Sequence, residues 1–263
     1  MRVLDLFAGI GGFTLGLERA GFETAAFCEI DPYAQKVLAK HWPGVPIYDD
    51  VRTITAERLA IDGIGVDVIT GGFPCQDISV AGHQAGIQDG TRSGLWAECA
   101  RLLREIRPRY AIFENVTNLL NGERGAWFKR VLWDISKVGY DAEWHCIPAS
   151  ELGAHHHRDR IWIVAYPNSD SQSVRSLNAG AVQKAALLAY PNSAQCQRGR
   201  LPFGISQEHS EPVISSWWET EPNVDRVADG VPARSHRLKC LGNAVVPQIP
   251  ELIGHAIMGA INE

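Results

Sequence analysis

The feature that most constrains folding is an alternation running through the first 165 residues, in which short apolar runs are followed by stretches with apolar side chains at helical spacing. Parallel strands need helical crossovers, and the helices need a sheet face to bury their apolar stripe. This order therefore implies an α/β, doubly wound, mostly parallel sheet wrapped by helices. Val3–Phe7 reads as a first strand, followed by a glycine turn and a helix from about Gly12 to Ala20. Thr24–Cys28 reads as a second strand, with a helix after Pro32, since proline suits a first helical turn. Asp67–Thr70 and Tyr110–Phe113 are further strands. Between them Leu95, Cys99, Leu102, Leu103 and Ile106 fall at helical spacing. Phe128, Val131, Leu132, Ile135 and Val138 do the same, and Gly139 supplies the stop. Ala142–Ile147 and Arg160–Ala165 complete the sheet.

At 263 residues the chain can bury a substantial core without disulfide or metal staples. A hydrophobic share of 45% and a charged share of 21% exclude wholesale disorder and collagen-like repeats. The opening Met-Arg-Val-Leu-Asp lacks the apolar region of a signal peptide, and no apolar run is long enough to cross a bilayer. The expectation is a soluble, cytoplasmic protein without a membrane partner. Cysteines 28, 75, 99, 146, 196 and 240 stand singly, which argues against a zinc ribbon and a disulfide scaffold. A net charge of −5 gives no global sign of nucleic-acid binding, so such a function must come from local patches.

Composition shifts after Ala165. Residues 166–235 are rich in Ser, Asn, Gln, Pro and Gly, and Ala165-Tyr166-Pro167-Asn168-Ser169 recurs as Ala189-Tyr190-Pro191-Asn192-Ser193, read here as a duplicated turn. Arg175, Lys184, Arg198 and Arg200 stand against Glu208, and Arg226, Arg234, Arg237 and Lys239 against Asp229. These are modest basic patches, equally compatible with a phosphate backbone and with solvated loops. An apolar helix from Gln248 to Ile261 then returns to the first domain. Three divisions follow: residues 1–165, a compact region 166–240, and a closing segment 241–263.

Five segments carry chemistry. Asp5-Leu6-Phe7-Ala8-Gly9-Ile10-Gly11-Gly12 joins strand to helix, where glycines let backbone approach a ligand at a helix N-terminus. Glu29, at the end of the second strand, is placed to accept hydrogen bonds from ribose hydroxyls. NAD, FAD and S-adenosylmethionine all suit these two features, as does a plain structural turn. The leading acid and the G-x-G-G spacing favour a nucleoside without a pyrophosphate. Gly71-Gly72-Phe73-Pro74-Cys75-Gln76 puts Cys75 on a loop at the carboxyl edge of the sheet. A buried structural thiol rarely sits on such a loop, whereas a few per cent thiolate at neutral pH makes a usable soft nucleophile. Glu114-Asn115-Val116 follows a strand that ends at the same edge. Flanked by Phe113 and Val116, its carboxyl is expected to be partly desolvated and shifted upward, able to donate to a substrate nitrogen or to cap the next helix.

In His156-His157-Arg158-Asp159-Arg160, a period of two puts Arg158 and Arg160 on one strand face, with forks suited to carboxylate or carbonyl oxygens. The run His155, His156, His157 invites a metal. Consecutive residues diverge, however, and no carboxylate sits at ligand spacing, so no metal is expected. Leu241-Gly242-Asn243-Ala244-Val245-Val246-Pro247 reads as a tight turn into the last helix.

In this order the segments resemble the DNA (cytosine-5) methyltransferases of bacterial and phage modification systems. The resemblance covers residues 1–165 almost continuously, and 241–263 again. It implies a Rossmann-like S-adenosylmethionine-dependent methyltransferase fold, with residues 166–240 as a small, loop-rich target-recognition region. It implies S-adenosyl-L-methionine as cofactor, bound by Asp5, Phe7, Gly9, Gly11 and Gly12, with Glu29 on the ribose. Ile30 would pack on the adenine and Asp50 meet its amine, with Pro74, Leu95, Asn243 and Val245 as further walls. Cys75 would add to C6 of a cytosine, Glu114 hydrogen-bond to or protonate N3, and Arg160, supported by Arg158, hold O2 and orient Glu114. Gln76, Ser79 and Arg92 would touch DNA. The partner implied is double-stranded DNA with the target base flipped out, and a cognate restriction endonuclease fits such a system. A monomer is expected.

Two departures stand out. His156 occupies a position where the family more often has glutamine, and the stretch before Gly242 lacks the usual arginine-glutamate-rich helix. Three alternatives remain open on sequence: a tRNA cytosine-5 methyltransferase of the same superfamily, a catalytically silent DNA- or nucleotide-binding relative, and a Rossmann oxidoreductase. RNA and DNA differ in 2′-hydroxyl contacts, which these motifs do not reveal.

Overall fold

The structure, a computed structural model, describes residues 1–74, 94–168 and 234–262. Cys75, Gln76, Ser79 and Arg92 lie outside the described residues, as do the repeat copy at 189–193 and nearly all of the 166–240 region.

The described chain runs β1 (Arg2–Leu6), α1 (Gly12–Arg19), β2 (Glu23–Cys28), α2 (Pro32–His41), β3 (Ile47–Tyr48), α3 (Ala56–Ile61) and β4 (Val68–Gly72). It continues with α4 (Leu95–Ile106), β5 (Tyr110–Val116), α5 (Ala126–Lys137), β6 (Tyr140–Pro148), β7 (Asp159–Pro167), α6 (Arg234–Asn243) and α7 (Gln248–Asn262). The strands form one seven-stranded sheet in the order β3-β2-β1-β4-β5-β7-β6. β1 to β5 pair in parallel, whereas β7 is antiparallel to both β5 and β6. The reversal follows from chain length. Only residues 149–158, with a 3-10 turn at Ala149–Leu152, separate β6 from β7, too few for the helical crossover that a parallel pair would need.

Helices cover both faces. One face buries Leu4, Leu6, Ile69 and Phe113 against Trp96, Leu102 and Leu103 of α4 and Val131 and Ile135 of α5. The other buries Val3, Val68, Ile112 and Trp162 against Phe13 and Leu17 of α1 and Ile249 and Ile257 of α7. Alternation along β1 thus sends Leu4 and Leu6 into one layer and Val3 into the other, as a doubly wound sheet requires.

The structure corrects several sequence boundaries. β5 runs on to Val116, so Glu114 lies inside the strand and not beyond it. β3 and α3 are too short to show periodicity. The tight turn read at Gly242-Asn243 is instead the last turn of helix α6. Glycine, asparagine and a polar composition concealed this helix, which is held by tertiary contacts described below. By length and composition alone, Ser235–Ile261 would suffice to cross a membrane. The backbone nevertheless leaves the helix between Asn243 and Gln248, and Gly254 of α7 packs closely on Leu17, Ala20 and Phe22.

Asp5 ties the centre together. It is fully buried, and its carboxylate accepts from Thr14 Oγ1 of α1 at 2.9 Å and Thr70 Oγ1 of β4 at 2.7 Å. Burial pushes its carboxyl up to about 6, against the lowering effect of the Thr70 and Thr14 hydroxyls. An unfolded aspartate titrates at about 3.9. Between these values the folded chain holds a proton that the unfolded chain has lost, so stability falls as pH rises through the window, by roughly 3 kcal/mol from this group. Asp5→Asn keeps a side chain able to bond both hydroxyls without a charge. Urea unfolding at pH 4 and pH 7 should show the variant losing less stability across that interval than the parent, and an identical loss would contradict the assignment.

Candidate active site

The ends of β1 and β2 bring the Phe7–Gly11 loop beside Glu29 and Ile30. Phe7 adopts a left-handed backbone (φ 54°), as does Gly9 (φ 56°), and the space where a Cβ on Gly9 would point is empty. Glu29, just past β2, is held in place by this loop. Its Oε2 accepts from the Gly9 N–H at 2.7 Å and its Oε1 from the Asp31 N–H at 2.8 Å, while Gln35 Nε2 donates to its carbonyl at 2.6 Å. Ile30 follows with 71% of its surface exposed, an apolar side chain left open beside a polar cradle. Asp50 caps the turn Val51–Thr53 and pairs with Arg52 at 2.7 Å, and Leu95 opens α4 half-buried. A nucleoside suits this set: the Glu29 carboxylate can accept from ribose hydroxyls through its remaining lone pairs, and the exposed Ile30 side chain offers an apolar contact for a base.

The other glycines of the loop have a different task. A Cβ on Gly11 would strike Trp42, and one on Gly12 would strike the Val245 carbonyl. Their glycine identity, and Val245 itself, therefore belong to packing between the loop, α2 and the α6–α7 connection. Asp5, expected to line the cofactor site, is 0% exposed, and its carboxylate bonds Thr14 and Thr70, which ties the start of the loop to α1 and β4. Asn243 is exposed at the end of α6.

A second group sits at the ends of β4, β5 and β7. Gly72 is in register with Glu114, and a Cβ there would come within 3.3 Å of Glu114 Oε2. The next residue, Phe73, is buried against Trp96 and Phe113, with ring centroids 5.0 and 6.4 Å away. Asn115 Nδ2 donates to the Phe73 carbonyl at 3.0 Å. Nothing in its residue type distinguished Asn115 from a strand-end asparagine. Its function emerges only from the pairing of β4 with β5, which brings it to the loop leading through Pro74 towards Cys75.

Arg160 Nε bonds Glu114 Oε1 at 2.9 Å across the antiparallel β5–β7 pair. Glu114 is largely buried, which pushes its carboxyl upward, while Arg160 first and Arg158 second oppose that shift. Arg158 is not the strand partner that the period of two implied. It precedes β7 with a left-handed backbone (φ 42°), and its Nη1 and Nη2 donate to the carbonyls of Gly242 at 2.8 Å and Ala244 at 2.7 Å. A positive φ breaks the alternation, so the two forks diverge: Arg160 faces Glu114 and Arg158 grips the end of α6. His156 is exposed, and no group of three His, Cys, Asp or Glu among the described residues could hold a metal ion.

Known proteins resemble this chain in sequence and in fold. The chain is 37% identical over 178 residues to the type II methyltransferase M2.BsuMI of Bacillus subtilis, covering 66% of this chain and 44% of that one. It is 39% identical over 170 residues to the type II methyltransferase M.Eco47II of Escherichia coli, covering 63% and 39%. The chain thus spans less than half the length of these two relatives. The Entamoeba histolytica methyltransferase EhMeth superposes with a TM-score of 0.62 over 100% of this chain and 99% of its own, and at 14% identity that likeness speaks for the fold alone. The family model for C-5 cytosine-specific DNA methylases matches residues 1–202, which takes in both groups of residues and the strands that carry them. The chain belongs to the C-5 cytosine-specific DNA methylase family.

Proposed function

We propose that this chain methylates C5 of a flipped cytosine in duplex DNA, using S-adenosylmethionine and a transient covalent bond from Cys75. The observation that carries this reading is the Glu114–Arg160 pair at 2.9 Å, beside the strand end that leads to Cys75 and at the same sheet edge as Glu29 and Ile30, with β1 and β4 between them. Bound beside Glu29 and Ile30, S-adenosylmethionine supplies a methyl group on a sulfonium, an electrophile the protein's own side chains lack.

The residues divide the work as follows. The Cys75 thiolate donates an electron pair to C6, forming an S–C6 bond. The ring electrons move toward C5 while Glu114, whose raised pKa favours the protonated form, gives a proton or hydrogen bond to N3. Arg160 binds O2 and fixes the Glu114 carboxyl, a task suited to a planar fork. C5, made electron-rich by the Cys75 bond, would accept the methyl group that S-adenosylmethionine, held by the Gly9 loop, Glu29 and Ile30, would supply. Removal of the C5 proton to solvent or a base restores the C5–C6 double bond, expels Cys75 as thiolate and returns the N3 proton to Glu114. Stacking inside a duplex blocks C5 and C6, hence the flip. Arg158 supports the pocket from behind, and Gln76, Ser79 and Arg92 contact the DNA. The working species is a cytoplasmic monomer, and a restriction endonuclease of the same specificity is its natural counterpart.

Bisulfite sequencing of DNA from cells expressing the chain should reveal methylated cytosines in one sequence context. Duplex DNA carrying 5-fluorocytosine at that site should form a denaturant-stable adduct with the parent and none with Cys75→Ala, because fluorine cannot leave as a proton does. Label entering tRNA and not duplex DNA would move the activity to RNA. Absence of any adduct with cofactor and target present would overturn the covalent route.

Replacing Arg160 tests the pair itself. Arg160 lowers the Glu114 pKa, so Arg160→Ala should move the limb of the pH–rate profile that belongs to this carboxyl to higher pH, and turnover should fall on the order of 100-fold. A limb that stays in place or moves down would show that the two do not act together.

A further inference from the structure

Helix α6 runs beside the proposed cofactor pocket and is fastened at both ends. At one end Lys239 Nζ donates to Asp31 Oδ2 at 2.9 Å, and the His236 ring stacks on Tyr33 with centroids 5.6 Å apart and planes 30° apart. At the other, Arg158 grips the Gly242 and Ala244 carbonyls, a favourable place for a guanidinium because a helix C-terminus carries partial negative charge.

The first attachment falls on a functional turn. Asp31 caps α2 by accepting from the Tyr33 N–H at 2.9 Å, and its own N–H donates to Glu29 Oε1 at 2.8 Å. One residue therefore connects Lys239 to the carboxylate assigned to the ribose. Glu29 also acts through space on both Lys239 and Cys240, which places α6 within its electrostatic reach.

We propose that Lys239 is a positioning residue for the cofactor: through Asp31 it fixes the turn that aims Glu29 at the ribose, and α6 thereby joins the cofactor pocket to the arginine segment of the base pocket. This rests on the cofactor reading above. Without Lys239 the Asp31 turn still caps α2, but it loses the charge that holds it against α6. Glu29 then samples orientations in which it no longer meets both ribose hydroxyls. The Lys239 side chain is 63% exposed and that of Asp31 21%, so the pair is partly screened and its effect is modest.

Calorimetric titration of the full chain with S-adenosylhomocysteine tests the assignment. At low salt Lys239→Ala and Lys239→Gln should bind about three- to fivefold more weakly than the parent, and Lys239→Arg should restore affinity to within about twofold. In about 1 M salt, where the screening length is about 3 Å, the parent and Lys239→Ala should converge. The KM for S-adenosylmethionine should rise in step with the weaker binding, with a smaller change in kcat. Equal affinities of parent and Lys239→Ala at low salt would overturn the role of Lys239 while leaving the cofactor reading intact. A parent that does not bind S-adenosylhomocysteine at all would overturn both.

Discussion

Register across the three central strands determines where chemistry can occur. Leu6 lies beside Gly71, and Gly72 lies beside Glu114, so β1, β4 and β5 leave the sheet at one edge. The buried Asp5 holds that edge by bonding Thr14 of α1 and Thr70 of β4 at once. A slip of one residue between β5 and β7, where Val116 lies opposite Arg160, would turn Glu114 to the face opposite Arg160, because side chains alternate along a strand. The cofactor loop, the loop toward Cys75 and the acid are therefore consequences of one alignment, with the antiparallel β7 bringing Arg160 into it.

Glycine serves two opposed purposes within a few residues. At Gly9 the missing side chain leaves open space and a left-handed backbone whose N–H points at Glu29. At Gly12 the same absence lets the Val245 backbone approach α1, and at Gly16 one turn later it admits Pro247. The first makes room for a ligand, and the second brings the α6–α7 connection against the loop that would hold it.

Strands and long helices were legible because burial imposes a period. Leu102 and Leu103 of α4 and Val131 and Ile135 of α5 all enter the core that their spacing implied. Glu29 and Glu114 were legible because an acid at a strand end is unusual enough to suggest a purpose. What escaped detection depends on partners far apart in sequence. The contacts of α6 with Arg158 and Asp31 span 84 and 208 residues of sequence, and local composition carries no trace of such help. Arg158 was misassigned for a related reason: a period-two argument holds only inside a strand, and its φ of 42° places it just outside.

That displacement bears on the acid's strength. Burial raises the Glu114 carboxyl, while a guanidinium in contact opposes the rise. If both arginines bonded Glu114, two cations would compete with desolvation for one carboxylate and hold it ionised, unable to donate to a ring nitrogen. Arg158 instead directs its fork at the Gly242 and Ala244 carbonyls, whose dipoles absorb part of its field, and reaches Glu114 only through space. Among the described residues Arg160 is the direct partner, enough to orient the carboxyl while burial keeps its proton affinity raised.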